Sequence, residues 1–205
     1  MYDAFLHYSE KFTPSQIQLN LLSGEKISVP DEYYYMTCHR EENTASSLCE
    51  ILTAMNSLDA QTIYPVHPRN KNTALDLQSQ FKNVLFVFPV GYLESTCLVR
   101  NAKKIVTDSG GLQTEAFFAK KKCVTVLDFV CWPETMVGNR NELSRPIASE
   151  ILEKLNHEQE INDNYQPFGD GHAAEKIVTA LENYNPAVDN ARVDILEGEK
   201  FISCH

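Results

Sequence analysis

Apolar residues along this chain alternate between short β-branched or aromatic runs and longer stretches with a helical repeat. That pattern predicts the elements directly. Two helices are expected in residues 1–22. Tyr2, Phe5, Leu6 and Phe12 mark the apolar face of the first, and the run 17–22 forms the second, with Pro14 in a first turn behind a Thr13 cap. Residues 23–30 read as a loop. From there strand and helix alternate. Strand 33–37 precedes a helix over 46–58, where Leu48, Ile51, Leu52, Met55 and Leu58 recur at helical spacing. Strand 62–66 leads to a helix ending near residue 81, and strand 84–88 to one ending near 101. Strand 105–107 leads to a helix with Leu112, Ala116, Phe117 and Ala119 on one side. Strand 123–127 is followed by a loop over 129–145, and amphipathic helices over 147–155 and 172–181 are expected to close the domain. The alternation predicts an α/β fold with a doubly wound, mostly parallel sheet. Residues 1–185 form one lobe, and the acidic, weakly patterned stretch 186–205 a peripheral tail. An opening on helices, with no strand before them, suggests a further segment upstream.

Composition alters this picture at few points. With 205 residues, 43% of them hydrophobic and 22% charged, the chain suits a soluble globular domain. A net charge of −10 argues against a nucleic-acid surface, but the acid is uneven. Residues 1–141 hold 15 acids and 13 bases, so that portion is near neutral and better suited to an anionic ligand. The six cysteines form no CxxC pair and read as reduced, mostly buried thiols of a cytoplasmic protein. No apolar run is long enough to span a membrane, and no signal peptide is recognisable.

Candidate chemistry gathers where the predicted strands end. The stretch 104–119, KIVTDSGGLQTEAFFA, turns from strand to helix through Ser109, Gly110 and Gly111. Such a turn leaves unpaired N–H groups and a positive dipole end facing outward, and glycine admits an anion close to the backbone. Glu115 follows one turn later on the same face, where a carboxylate suits two neighbouring sugar hydroxyls. The plainer alternative is a tight connection followed by a solvated glutamate. His39, Arg40 and Glu42 follow the strand at 33–37, His67 and Arg69 the next, and Tyr92 the third. In sheets of this kind ligands bind at the carboxyl ends of the strands. Metal binding is disfavoured, because Cys38, His39 and His67 lack ligand spacing. Trp132 is expected to be a buried anchor for its loop, and Lys120, Lys121 and Lys122 to cap a helix C-terminus.

Six segments in order point further: TCHREEN (37–43), YPVHPRN (64–70), GYLES (91–95), VTDSGGLQTEA (106–116), WPETMVGN (132–139) and YQPFGDGHA (165–173). Together they resemble the non-hydrolysing UDP-N-acetylglucosamine 2-epimerases over nearly the whole chain. The resemblance implies the C-terminal lobe of a glycosyltransferase-B-like fold, Rossmann-like, with an N-terminal lobe as its missing partner. It implies elimination of UDP across C1–C2 of UDP-GlcNAc to a 2-acetamidoglucal, then re-addition to give the manno epimer. No cofactor is implied, and a homodimer is compatible. Ser109, Gly110 and Gly111 would hold the diphosphate and Glu115 the ribose. His39 would stabilise departing UDP, and Arg40, Glu42 and His67 would line the cleft. The acid/base carboxylates belong to the other lobe. The chain departs from the family at Leu127, where an arginine is common, at 130–134, where VCWPE replaces a TERPE loop, and at Ser95, where an aromatic is usual. Trp132 is similar to relatives acting on modified sugars such as diacetamido-uronates. A related glycosyltransferase lobe and a stand-alone nucleotide-binding module are the competing readings.

Overall fold

The computed structural model describes residues 1–43 and 46–184; the predicted tail at 186–205 lies outside them. Helix α1 (Tyr2–Tyr8) leads through a short 3-10 turn to strands β1 (Gln18–Asn20) and β2 (Lys26–Ser28). Then come β3 (Tyr33–Thr37), α2 (Ser46–Asn56), β4 (Gln61–Pro65), α3 (Lys71–Leu77), β5 (Val84–Val87) and α4 (Tyr92–Asn101). The chain continues through β6 (Ile105–Thr107), α5 (Gly110–Phe118), β7 (Cys123–Thr125), β8 (Asn141–Leu143), α6 (Ala148–Asn156) and α7 (Ala173–Glu182).

Six of these strands form one sheet in the order β5-β4-β3-β6-β7-β8, every pair parallel. The expected doubly wound α/β fold is therefore present, with its strand order reversing between β3 and β6. A parallel sheet is covered on both faces, so its central strands are largely apolar. In β3, Tyr34 and Met36 enter one core with Leu48, Ile51 and Leu52 of α2 and Ile151 and Leu155 of α6. Tyr33 and Tyr35 enter the other, with Cys97 and Leu98 of α4 and Leu112 and Ala116 of α5. Burying each such side chain contributes about 1.5–3 kcal/mol, provided its polar tip finds a partner. The three tyrosines do: Tyr33 donates to the Leu98 carbonyl at 2.8 Å, Tyr34 to Asp59 at 2.7 Å, and Tyr35 shares a 3.1 Å hydrogen bond with Ser95.

Several expectations are corrected. Thr13 and Pro14 do start a turn, with the Thr13 N–H donating to Gln16 Oε1 at 2.9 Å, but the turn ends at Gln16. Residues 17–22 hold strand β1, not a helix, and the presumed loop 23–30 holds β2, its antiparallel partner. The alternation Ile17, Leu19, Leu21 explains this, since a two-residue period puts all three on one face. Leu19 is fully buried. The presumed loop 129–145 contains a 3-10 segment and edge strand β8. Lys122 does not cap a helix: it is 2% exposed, donates to the Asn139 carbonyl at 2.6 Å and pairs with Glu142. Trp132 is 37% exposed, and its ring meets Phe168 edge-on at 5.9 Å. Helix α7 forms where predicted, but it closes no core, because Ile177, Val178 and Leu181 are exposed.

Candidate active site at the switch point

The rung where β3 and β6 part company organises the site. Thr37 pairs with Thr107 in register, and their hydroxyls are 2.7 Å apart. Beyond this rung one chain continues as Cys38-His39-Arg40 and the other as Asp108-Ser109-Gly110. A crevice at such a strand-order reversal is where doubly wound sheets take ligands.

On the β6 side, the Ser109 N–H donates to Thr107 Oγ1 at 2.9 Å, and Ser109 Oγ accepts from Leu112 N at 3.4 Å as the cap of α5. That leaves the N–H groups of Gly110 and Gly111 without partners among the described residues, at the positive end of the helix. The glycines differ in setting. A Cβ on Gly111 would meet nothing closer than Ser109 Oγ at 3.7 Å, whereas one on Gly110 would lie 3.3 Å from Trp132 Nε1. Gly111 is thus open to an approaching anion, and Gly110 makes room for the indole.

On the β3 side, Asp108 does what the sequence did not suggest. It is fully buried and accepts from the backbone N–H groups of His39 at 2.9 Å and Arg40 at 2.8 Å. It also receives His39 Nδ1 at 3.0 Å and Asn43 Nδ2 at 3.4 Å. The bond to Asp108 raises the His39 pKa above its ordinary value, although burial and the nearby Arg40 and Arg69 oppose this. Burial alone would raise the Asp108 carboxyl, but the donors from His39 and Arg40 hold it low. The result is a partly exposed imidazole held at one nitrogen, with Nε2 lacking a hydrogen-bond partner among the described residues.

A cavity of about 350 Å³ collects His39, His67, Ser109, Gly111 and Glu115, with Tyr35, Thr37 and Ser95. His67 caps the turn after β4, accepting from the Arg69 N–H at 3.2 Å, and its ring centre is 5.8 Å from that of His39. Arg69 donates to the His39 carbonyl at 3.0 Å. Buried Asn70 donates to the Cys38 carbonyl at 2.9 Å, tying the β4 loop to the β3 loop. The Glu115 carboxylate has no hydrogen-bond partner among the described residues, and burial pushes its pKa up to about 7. A carboxylate so placed is an acceptor without donors.

Three predicted residues do not line this cavity. The Arg40 side chain turns the other way, donating from Nε to the Asp108 carbonyl at 2.9 Å and lying over the Phe129 ring at 5.2 Å. Glu42 lines a separate hollow of about 190 Å³ with Asp128, Phe129 and Arg145. Gly110 faces Trp132 and Cys131. Among the described residues no cluster of His, Cys, Asp or Glu has a metal-holding arrangement, and no helix is long and apolar enough to cross a membrane. Buried Cys38, Cys97 and Cys123 and half-buried Cys49 and Cys131 are free thiols.

The parallel sheet, with a helix N-terminus and a histidine meeting at its reversal, defines a Rossmann-like α/β lobe. The sequence model of the UDP-N-acetylglucosamine 2-epimerase family matches residues 1–182, and the chain belongs to that family. A UDP-N-acetylglucosamine 2-epimerase homolog of Methanococcus maripaludis is 34% identical over 198 residues, covering 89% of this chain and 53% of that protein. A UDP-2,3-diacetamido-2,3-dideoxy-D-glucuronate 2-epimerase of Pseudomonas aeruginosa is 34% identical over 162 residues, covering 76% and 46%. A crystal structure of Methanocaldococcus jannaschii UDP-GlcNAc 2-epimerase, in complex with UDP-GlcNAc and UDP, superposes with a TM-score of 0.71 at 29% identity. That match covers 89% of this chain and 53% of the other. The chain spans about half the length of the curated relatives it matches.

Proposed function

We propose that this chain is the UDP-binding C-terminal lobe of a UDP-N-acetylglucosamine 2-epimerase, working with an N-terminal lobe that supplies the acid/base carboxylates. One observation carries the reading: a single cavity joins the open α5 N-terminus, the Asp108-held His39 and the donorless Glu115. The N–H groups of Gly110 and Gly111 and the Ser109 hydroxyl receive the diphosphate. Glu115 accepts from the ribose hydroxyls. His39 Nε2 faces the oxygen that carries charge as UDP departs, where an imidazolium lowers the barrier to elimination. His67 completes that wall. Arg40 acts at one remove, bracing the Asp108 loop, and Glu42 takes no part in UDP contact. The free thiols suit a reducing, cytoplasmic setting.

A second reading, an epimerase of a diacetamido-uronate, is supported by the Pseudomonas aeruginosa relative and by Trp132 packed against Gly110. It changes the sugar and leaves the UDP site as described.

Calorimetry with UDP and with ATP tests the common part. The isolated lobe is expected to bind UDP in the high micromolar to millimolar range, with half the contacts and all cleft closure missing, and to prefer it over ATP. Equal affinity for both, or no binding at millimolar UDP, would count against a uridine site.

A further inference from the structure

We propose that Asp108 is the positioning residue of this site, fixing both the orientation of the His39 ring and the nitrogen on which its proton resides. The proposal builds on the reading above only in what meets His39 Nε2. The carboxylate lies at the end of β6, wholly out of solvent, and is itself clamped by the backbone N–H groups of His39 and Arg40 and by Asn43 Nδ2. It cannot rotate away from the ring without abandoning those donors. An ionised carboxylate only accepts, so His39 Nδ1, 3.0 Å away, must carry hydrogen. The neutral ring therefore has its lone pair at Nε2, and the protonated ring has its second N–H there, on the cavity side of the clamp.

The charges around His39 make this consequential. Arg40 follows it in sequence, Arg69 donates to its carbonyl at 3.0 Å, and the His67 ring lies 5.8 Å off. Of these, Arg40 and Arg69 favour a neutral His39, and Asp108 opposes them. The same clamp deals with a second difficulty. A buried carboxylate beside a diphosphate site would repel the ligand; the donors from His39 and two backbone N–H groups disperse the Asp108 charge, and protonation of His39 offsets it. A purely architectural Asp108 would pin the 38–43 turn through its backbone donors and leave the titration of His39 untouched.

Nitrogen-15 NMR of the His39 imidazole across pH separates these possibilities in the 205-residue chain, with its signals assigned by their loss in His39→Gln. Expected in the wild type is a neutral form protonated at Nδ1, with a titration midpoint higher than in Asp108→Asn. A wild-type neutral form protonated at Nε2 overturns the proposal, and that readout survives even if the variant fails to fold. An unchanged midpoint in a folded Asp108→Asn protein overturns it as well. Adding UDP tests the underlying reading separately. Perturbation of Nε2 supports diphosphate contact, whereas an Nδ1-protonated ring indifferent to saturating UDP upholds Asp108 and overturns the contact.

Discussion

Glu115 is a half-buried carboxylate with no donor among the described residues, and burying its charge without one disfavours the folded state. Its ordinary pKa of 4.5 rises to about 7 through burial, so between those values the folded chain keeps a proton that the unfolded chain has lost. Stability from this group is greatest below about pH 4.5 and declines as pH rises toward 7. Glu115→Gln should therefore stabilise the protein above neutrality by about 1–2 kcal/mol, after allowance for its partial exposure. Urea unfolding at pH 5 and pH 8 measures this, and an equal effect at both values would contradict it. Binding carries the opposite sign. If ribose hydroxyls donate to the ionised form, UDP affinity should rise with pH through about 7 in the wild type and rise less in Glu115→Gln. At Gly111, alanine should leave the fold intact, since its Cβ meets only Ser109 Oγ at an ordinary contact distance of 3.7 Å, yet weaken UDP binding by about 1–3 kcal/mol through crowding of the anion. Unchanged UDP affinity in a folded Gly111→Ala protein would move the diphosphate away from this helix end. Residue type and spacing alone singled out His39, Gly111 and Glu115. Asp108 was not legible, because an aspartate before SGG reads as a turn residue and its partners lie 65–69 positions away.

At the scale of elements, the strand-helix alternation from 33 to 118 was legible because apolar runs and helical repeats dominate it. The β1–β2 hairpin was missed because Pro14 suggested a helix, although Ile17, Leu19 and Leu21 alternate strictly. Strand β8, Asn-Glu-Leu, carries no such signal. Its fit comes from polar pairing: Asn141 Oδ1 accepts from the Thr125 hydroxyl at 2.7 Å, and Glu142 meets Lys122 and His157. No periodicity could reveal that Lys122 belongs inside, since its burial depends on a carboxylate 20 positions later. Lys122→Ala should cost about 1–3 kcal/mol by leaving the partly exposed Glu142 with His157 as its remaining partner at the sheet edge. Chemical denaturation reads the loss directly, and a cost near zero would show the pair to be dispensable.

Over the molecule as a whole, the sheet is covered while the apolar face of α7 stays exposed among the described residues. Both cores are closed around β3, but α7 holds Ile177, Val178 and Leu181 to solvent, fastened to α1 by the Ala174 N–H donating to Asp3 at 3.0 Å. Sequence patterning identified α7 as amphipathic and expected it to close the domain, but its apolar face is exposed. If the proton-transfer carboxylates reside in another lobe, the chain alone should show no interconversion of UDP-GlcNAc and UDP-ManNAc, because general acids and bases contribute about 10²–10⁴ each in rate. Turnover by the purified chain at an ordinary enzymatic rate would refute the half-site account. A UDP site in this lobe requires Glu115 to hold the ribose of a nucleotide whose diphosphate sits on the α5 N-terminus. The most direct test is a double-mutant cycle by calorimetry: wild type and Glu115→Gln, each titrated with UDP and with 2′-deoxy-UDP. A charge-assisted hydrogen bond is worth about 1.5–3 kcal/mol, so loss of the 2′-hydroxyl should weaken wild-type binding clearly and the Gln variant much less. An identical 2′-deoxy penalty in both proteins would mean that Glu115 does not touch the ribose.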